Sequence, residues 1–211
     1  RIRYMIELSR SEPGIAVLPE ELDSDPFLLN VRNGTLDLRT GQLRGHRRDD
    51  LITRCLGVLY DETAKAERWQ RFVVDAMGGD LELADFLRRA VGYSLTGDIR
   101  EHVLFFLHGE GANGKSTFLN TILALFYKYG RQLEPDILMV SRSEKHPTGL
   151  ADLESSRFAV AMEIEDGRRL HESLVKQLTG GDRLTARRMR QDYREFWPTH
   201  KLWLGANHRP R

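Results

Sequence analysis

The sequence predicts an α/β fold, a parallel β-sheet flanked by helices and preceded by a small β-hairpin and helical module. Three observations carry this. A glycine-rich run ending in Gly114, Lys115 and Ser116 joins a short apolar stretch to a helical one. Over residues 103–206, apolar segments of strand length alternate with helical ones. Upstream, an Asn33-Gly34 turn signal and two helix-period stretches separated by Gly78 and Gly79 mark a smaller unit.

Residues 1–26 lack a clear period and are punctuated by Pro13, Gly14, Pro19 and Pro26, as in a linker or the tail of a preceding element. Residues 27–98 form the hairpin and helical module. Leu28, Leu29, Asn30, Val31 and Arg32 lead into Asn33-Gly34, and Thr35, Leu36, Asp37, Leu38 and Arg39 lead out. Thr40 and Gly41 repeat the turn before Gln42 and Leu43, so a hairpin or meander is expected. From 61 the period becomes helical: Ala66, Trp69, Phe72, Val73 and Ala76 share a face, with Asp61 or Thr63 as N-cap. A second helix carries the apolar stripe Leu83, Phe86, Leu87, Ala90 and Val91.

Residues 99–211 are expected to make a second, larger domain, truncated at its C-terminus. A strand is expected over 103–107, a helix over 118–129 ended by Gly130, and a weak strand over 136–140. A strand over 157–164, a helix over 168–178 and a strand over 201–206 complete the alternation. Both ends read as cut, and the chain is expected to be a fragment of a longer protein.

Composition narrows the class. A mean hydropathy of -0.47 is ordinary for a globular domain. The longest apolar run, over 103–107, falls far short of the ~20 residues needed to cross a bilayer. No signal peptide is visible. The single Cys55 excludes an internal disulfide and a cysteine-built zinc site, in keeping with a reducing cytoplasm. Total charge is balanced, yet residues 183–194 hold five arginines against one acid, Asp192. Any nucleic-acid contact would therefore be a local patch.

Gly109, Glu110, Gly111, Ala112, Asn113, Gly114, Lys115 and Ser116 fit the P-loop pattern of two glycines separated by four residues and followed by Lys and Ser or Thr. The glycines let the backbone curl so that successive N–H groups point at phosphate oxygens. Lys115 reaches the β- and γ-phosphates, the Ser116 hydroxyl ligates Mg²⁺, and the following helix, starting near Thr117, presents its positive end. ATP and Mg²⁺ are thus the expected ligands.

Such sites need an acid at a neighbouring strand end to hold the metal and another to orient the attacking water. The apolar run over 157–162 ends in Glu163, Ile164, Glu165 and Asp166. Glu163 is assigned the metal side, and Glu165, or Asp166 in its place, the water. Asn207 follows the strand over 201–206. If that strand lies between the other two, its amide sits near the γ-phosphate; a turn-forming Asn is the alternative. Residues 182–196 alternate loosely about an arginine-rich centre, as in a hairpin whose Arg187, Arg188 and Arg190 contact phosphates while Tyr193 stacks on a base. A solvated charged loop is the competing reading.

Together these residues resemble the phage/plasmid primase family, including the poxvirus-type helicase-primases, whose motor is a superfamily 3 helicase. The resemblance runs from about Leu28 to Pro210. It rests on the segment 30–38, on Gly92, Tyr93, Ser94, Leu95, Thr96 and Gly97, and on the Asn-Gly-Lys-Ser form of the loop. It also draws on Leu178, Thr179, Gly180, Gly181 and Asp182, on Ala186 and Arg187, and on residues 202–208. The resemblance implies an AAA+-like ring, commonly hexameric, that moves on single-stranded DNA at the expense of ATP in a bacterial host cytoplasm. By position, Glu163 and Glu165 take the second-motif roles, Asn207 is the sensor, and the 183–194 stretch, with Lys176 nearby, is the DNA-contacting hairpin. The arginine finger and the primase site of that family fall outside this sequence. Two other classes fit the P-loop: a small-molecule or nucleotide kinase with an arginine-rich lid, and a truncated nucleotide- or DNA-binding module without turnover.

Overall fold

The computed structural model describes residues 1–111, 113–140 and 148–208. Helix α1 (Ile2–Ser9) and a 3-10 turn at Pro19–Glu21 occupy the segment expected to be a linker, and neither buries a residue. Strands β1 (Leu28–Val31), β2 (Gly34–Asp37) and β3 (Gln42–Arg44) form an antiparallel meander in that order. Asn33-Gly34 makes the first turn as the sequence predicts, with Val31 opposite Gly34. Helices α2 (Glu67–Ala76) and α3 (Leu81–Leu95) follow.

Two details of these helices differ from expectation. Asp61 and Thr63 do not cap α2; the Asp61 carboxylate accepts from the Thr63 N–H and hydroxyl, closing a local turn before the helix begins. The face that α3 buries is Ala84, Leu87, Ala90 and Ser94, while Leu83 and Phe86 are largely exposed. Small side chains bring the helix backbone close to the core and rotate the stripe by about one residue.

The remainder is built on a four-stranded parallel sheet. Its strands are β4 (Leu104–His108), β5 (Gly130–Gln132), β6 (Phe158–Met162) and β9 (Lys201–Ala206), ordered β4-β9-β6-β5. Helix α4 (Lys115–Phe126) connects β4 to β5. A short α5 (Thr148–Ala151) precedes β6, and α6 (Glu172–Thr179) follows it, N-capped by the His171 ring accepting from Leu174 N–H. The weak strand expected over 136–140 is instead a 3-10 turn, Pro135–Leu138. Pro135 fixes the turn, and the partner strand is the preceding, shorter β5. Strands β7 (Leu184–Ala186) and β8 (Arg194–Phe196) form a separate antiparallel hairpin.

Alternation along the buried strands divides the core. Phe158, Val160 and Trp203 face α4 and the preceding module; Ala159, Ala161, Leu202, Leu204 and Ala206 face the side closed by Leu153, Leu178 and Leu184. Trp203, fully buried, stacks on Phe105 at 4.4 Å between ring centres and meets Phe158 and Phe118 at 5.5 and 6.1 Å. Its indole N–H donates to Ser94 Oγ of α3 at 3.0 Å.

Two buried basic side chains, Arg157 and Lys201, hold carbonyls at the end of α3 and in β1. Arg157 donates to the Leu95 and Leu28 oxygens at 2.6 and 2.7 Å, and Lys201 Nζ donates to the Thr96 oxygen at 2.5 Å. They supply donors to carbonyls that the end of a helix leaves without an intrahelical partner. Burial, with Arg157 nearby, pushes the Lys201 ammonium down to about 6. Gly97 completes the joint: its N–H donates to the Pro26 carbonyl at 2.6 Å, and a Cβ there would lie 3.0 Å from Pro26. These contacts explain the run from 92 to 97 as a structural seam. No helix among the described residues is long and apolar enough to cross a membrane.

His200, beside this seam, is buried with neither ring nitrogen hydrogen-bonded among the described residues. Burial, with Lys201 adding repulsion, pushes its pKa down to about 3. The unfolded chain therefore binds one more proton between pH 6.5 and 3, and stability falls as pH drops through that window. His200→Leu removes the orphaned nitrogens, so we expect it to be at least as stable as the native chain at pH 7. Below pH 6.5 its urea midpoint should fall less steeply, the difference reaching roughly 1 kcal/mol per pH unit. Parallel pH profiles for the two proteins would contradict this.

Candidate functional site

The C-terminal ends of the parallel strands open into a cleft of about 1370 Å³. Gly111, Asn113, Gly114, Lys115, Ser116 and Thr117 line one part of it, Glu163, Glu165 and Asp166 another, and Asn207 with His208 a third. Gly109 is not among the lining residues. Ala112 lies outside the described residues, as does the segment 209–211 where the sequence resemblance ends. Ligands at strand ends of a parallel sheet are the rule for α/β folds, because helix N-termini converge there.

The loop is shaped by its glycines and its lysine. Gly114 caps α4 with φ of 84°, where a side chain is strained, and a Cβ there would come within 3.3 Å of the Phe72 ring. A Cβ on Gly109 would meet Asn113 Nδ2 at 2.2 Å. Lys115 Nζ donates to the Gly109 carbonyl at 2.6 Å, to Asn113 Oδ1 at 2.8 Å and to the Glu110 carbonyl at 3.2 Å. The ammonium is thus held by three oxygens of its own loop, and an anion entering the cleft would take their place. No side chain caps α4, so its first amides are available to an anion.

The acidic wall hangs on β6. Ile164 is buried and anchors the chain, leaving Glu163, Glu165 and Asp166 exposed at the rim. Glu163 has φ of 64°, and its N–H donates to the Gly205 carbonyl at 3.1 Å, which ties the end of β6 to the end of β9. Asp166 accepts from the Gly167 N–H and serves its own turn. Because β9 lies between β4 and β6, Asn207 emerges between the glycine-rich loop and the carboxylates. Gly205 lets α4 approach that strand, since a Cβ there would lie 2.7 Å from Leu119.

The hairpin residues lie elsewhere. Leu184 and Ala186 bury its base, and residues 187–193 are exposed. Arg187 covers the Tyr193 ring at 4.8 Å, and Arg188 pairs with Asp152 at 3.4 Å. Arg190 turns the tip with φ of 62°. None of Arg187, Arg188, Arg190 and Tyr193 lines the cleft. The lining residues that sequence reasoning missed are Arg68, Arg71 and Asp75 of α2. Their i, i+3, i+7 spacing puts them on one helix face, but no local signal says what that face adjoins.

Comparison with known proteins places this geometry in a lineage. Residues 1–78 match a model described as D5 N terminal like, and residues 107–211 match a family of unknown function, DUF5906. A protein of Acanthamoeba polyphaga mimivirus, provisionally named helicase L207/L206, is 25% identical over 194 residues, covering 90% of this chain and 20% of its own length. The African swine fever virus protein provisionally named primase C962R (isolate Tick/Malawi/Lil 20-1/1983) is 23% identical over 198 residues, again covering 90% of this chain and 20% of its own. The chain thus resembles, in two separate segments, a D5 N terminal like domain and DUF5906, and the relatives it matches carry helicase or primase names. It spans about a fifth of the length of the curated relatives it matches. Among solved structures, the apo C-terminal region of NrS-1 (305–718) shares the fold, with a TM-score of 0.55 and 12% identity over 68% of this chain and 34% of that one.

The strained Glu163 yields a stability prediction. A non-glycine residue in the left-handed region costs about 1–2 kcal/mol, partly offset in glycine by its unfolded-state entropy. Glu163→Gly should therefore raise stability by up to about 1 kcal/mol while deleting a rim carboxylate. Denaturant titration checks this; a destabilised variant would mean that the carboxylate has a structural role.

Proposed function

We propose that this chain is the ATP-driven motor segment of a replication helicase, hydrolysing ATP with Mg²⁺ to move on single-stranded DNA. The reading rests on one observation: three adjacent strands bring Lys115 and Ser116, the β6 carboxylates and Asn207 to a single cleft. A triphosphate fits that chemistry. Amides at the start of α4 and the Lys115 ammonium meet its oxygens, and Ser116 and Glu163 meet the metal side. Among the described residues no three or more His, Cys, Asp or Glu side chains gather into a metal site. A magnesium ion would accordingly rely on phosphate oxygens and water beside Ser116 and Glu163, as it does in phosphoryl-transfer sites generally. Glu165 is the residue to orient an attacking water, and Asn207 the one to hydrogen-bond both water and γ-phosphate.

The hairpin β7–β8 is the DNA-contacting element in this reading. Arg187, Arg188 and Arg190 would neutralise backbone phosphates, Arg188 exchanging its pair with Asp152, and Tyr193 would trade Arg187 for a base. Placed away from the cleft, these arginines are poorly disposed as a lid over a kinase acceptor. A homo-oligomeric ring, hexameric as the family resemblance implies, completes the proposal.

In the full-length parent we expect ATPase activity stimulated by single-stranded DNA and abolished by Lys115→Ala. Phosphate transfer to a nucleoside or metabolite, indifferent to DNA, would favour the kinase reading. Arg188→Ala with Arg190→Ala should weaken single-stranded DNA binding by roughly tenfold or more and flatten its salt dependence, with MgATP affinity unchanged. DNA affinity and salt slope equal to the parent's would exclude the hairpin.

A further inference from the structure

The cleft has a wall that belongs to the preceding module. Along α2, Arg68, Arg71, Phe72, Asp75 and Ala76 all line it, a stripe at i, i+3, i+4, i+7 and i+8. We propose that Arg68 and Arg71 bind the phosphates of the nucleotide held by the P-loop, making the module preceding the motor part of the nucleotide site. This deepens, and rests on, the reading of the cleft as a triphosphate site.

The helix is fixed against the loop by apolar contacts. Trp69 stacks on Phe118 of α4 with 5.5 Å between ring centres, and Val73 is buried in the shared core. Phe72 and Ala76 crowd Gly114, where a Cβ would come within 3.3 and 3.4 Å of them. The two arginines therefore stand on the same and the preceding turn as the residues that touch the N-terminus of α4. Their position relative to the P-loop is set by packing.

Charge supports an anion as their partner. Both side chains are exposed, and among the described residues neither guanidinium has a carboxylate within ion-pair distance. By contrast, Arg39, Arg44, Arg88, Arg89, Arg100, Arg168 and Arg183 each have one. Even Asp75, one turn from Arg71 on the same stripe, does not pair with it. Two unpaired guanidinium forks facing a cleft that also holds Lys115 suit bidentate phosphate recognition. The rim carboxylates Glu163, Glu165 and Asp166 come from β6 instead. Cationic groups for the phosphate tail and acidic groups for the metal thus arise from different elements of one cleft.

The test uses the full-length parent and calorimetric titration with MgATP. Arg68→Gln with Arg71→Gln should weaken MgATP binding roughly 10- to 100-fold, with a shallower salt dependence and an unchanged melting temperature. Arg68→Lys with Arg71→Lys, retaining charge without the fork, should recover part of that loss. Lys115→Ala serves as the reference. If Lys115→Ala abolishes binding while the double Gln variant binds MgATP like the parent, the α2 proposal is overturned and the P-loop reading stands. If the double Gln variant loses affinity for single-stranded DNA instead of MgATP, the arginines belong to a DNA path and the proposal is likewise overturned. If the unaltered parent does not bind MgATP, both readings fall together.

Discussion

The Trp203 ring is the joint on which the rest of the structure depends. It sits on the central strand β9, stacks against β4 through Phe105, touches α4 through Phe118 and β6 through Phe158, and donates its N–H to α3 through Ser94. Aromatic pairs of this kind add packing energy beyond simple burial. The elements of the sheet and α4 that shape the cleft are therefore registered to one side chain: the glycine-rich loop by α4 and β4, the carboxylates by β6, and Asn207 by β9 itself. Gly205, two residues on and facing the same way, lets α4 approach closely. The cleft is open because it lies just beyond this dense packing, where strands end and backbone groups turn outward.

What could be read from the sequence follows from how strongly each segment constrains itself. The glycine-rich loop between β4 and α4 was legible because its glycine, lysine and hydroxyl positions follow a fixed pattern, and because the flanking segments had the right periods. Strands β6 and β9 were legible as apolar runs too short for helices, and the hairpin β7–β8 as a loose alternation around a charged centre. The three-residue β5 was not, since Gly130–Gln132 has neither length nor apolar pattern and is defined by its pairing with β6. The following apolar positions attracted the strand assignment, although Pro135 bends them into a turn. The buried face of α3 was misread because Leu83 and Phe86 outweigh Ala84 and Ser94 in hydrophobicity, whereas close packing favours the smaller residues.

The site shows the same division. Residues adjacent in sequence to a motif, Lys115, Ser116, Glu163, Glu165 and Asn207, were nameable from chemistry and position. Arg68 and Arg71 were not, because a polar stripe on an amphipathic helix is the ordinary solvent face, and only the tertiary placement of α2 beside Gly114 turns it toward the cleft. The seam residues from 92 to 97 lay between these cases. They stand out in the sequence only as a family-like run, and the cause lies in the contacts that Arg157, Lys201 and Trp203 make with them.

That seam bears on how such a chain can change over evolutionary time. An amine and a guanidinium buried beneath the end of α3 are tolerable only while the Leu28, Leu95 and Thr96 carbonyls are there to receive them. A recombination event that exchanged the upstream segment for an unrelated one would leave two buried donor groups, the guanidinium of Arg157 among them, without their acceptors. The two halves are consequently bound to be inherited together, and a lineage that shed the first would have to replace Arg157 and Lys201 before it could keep the second.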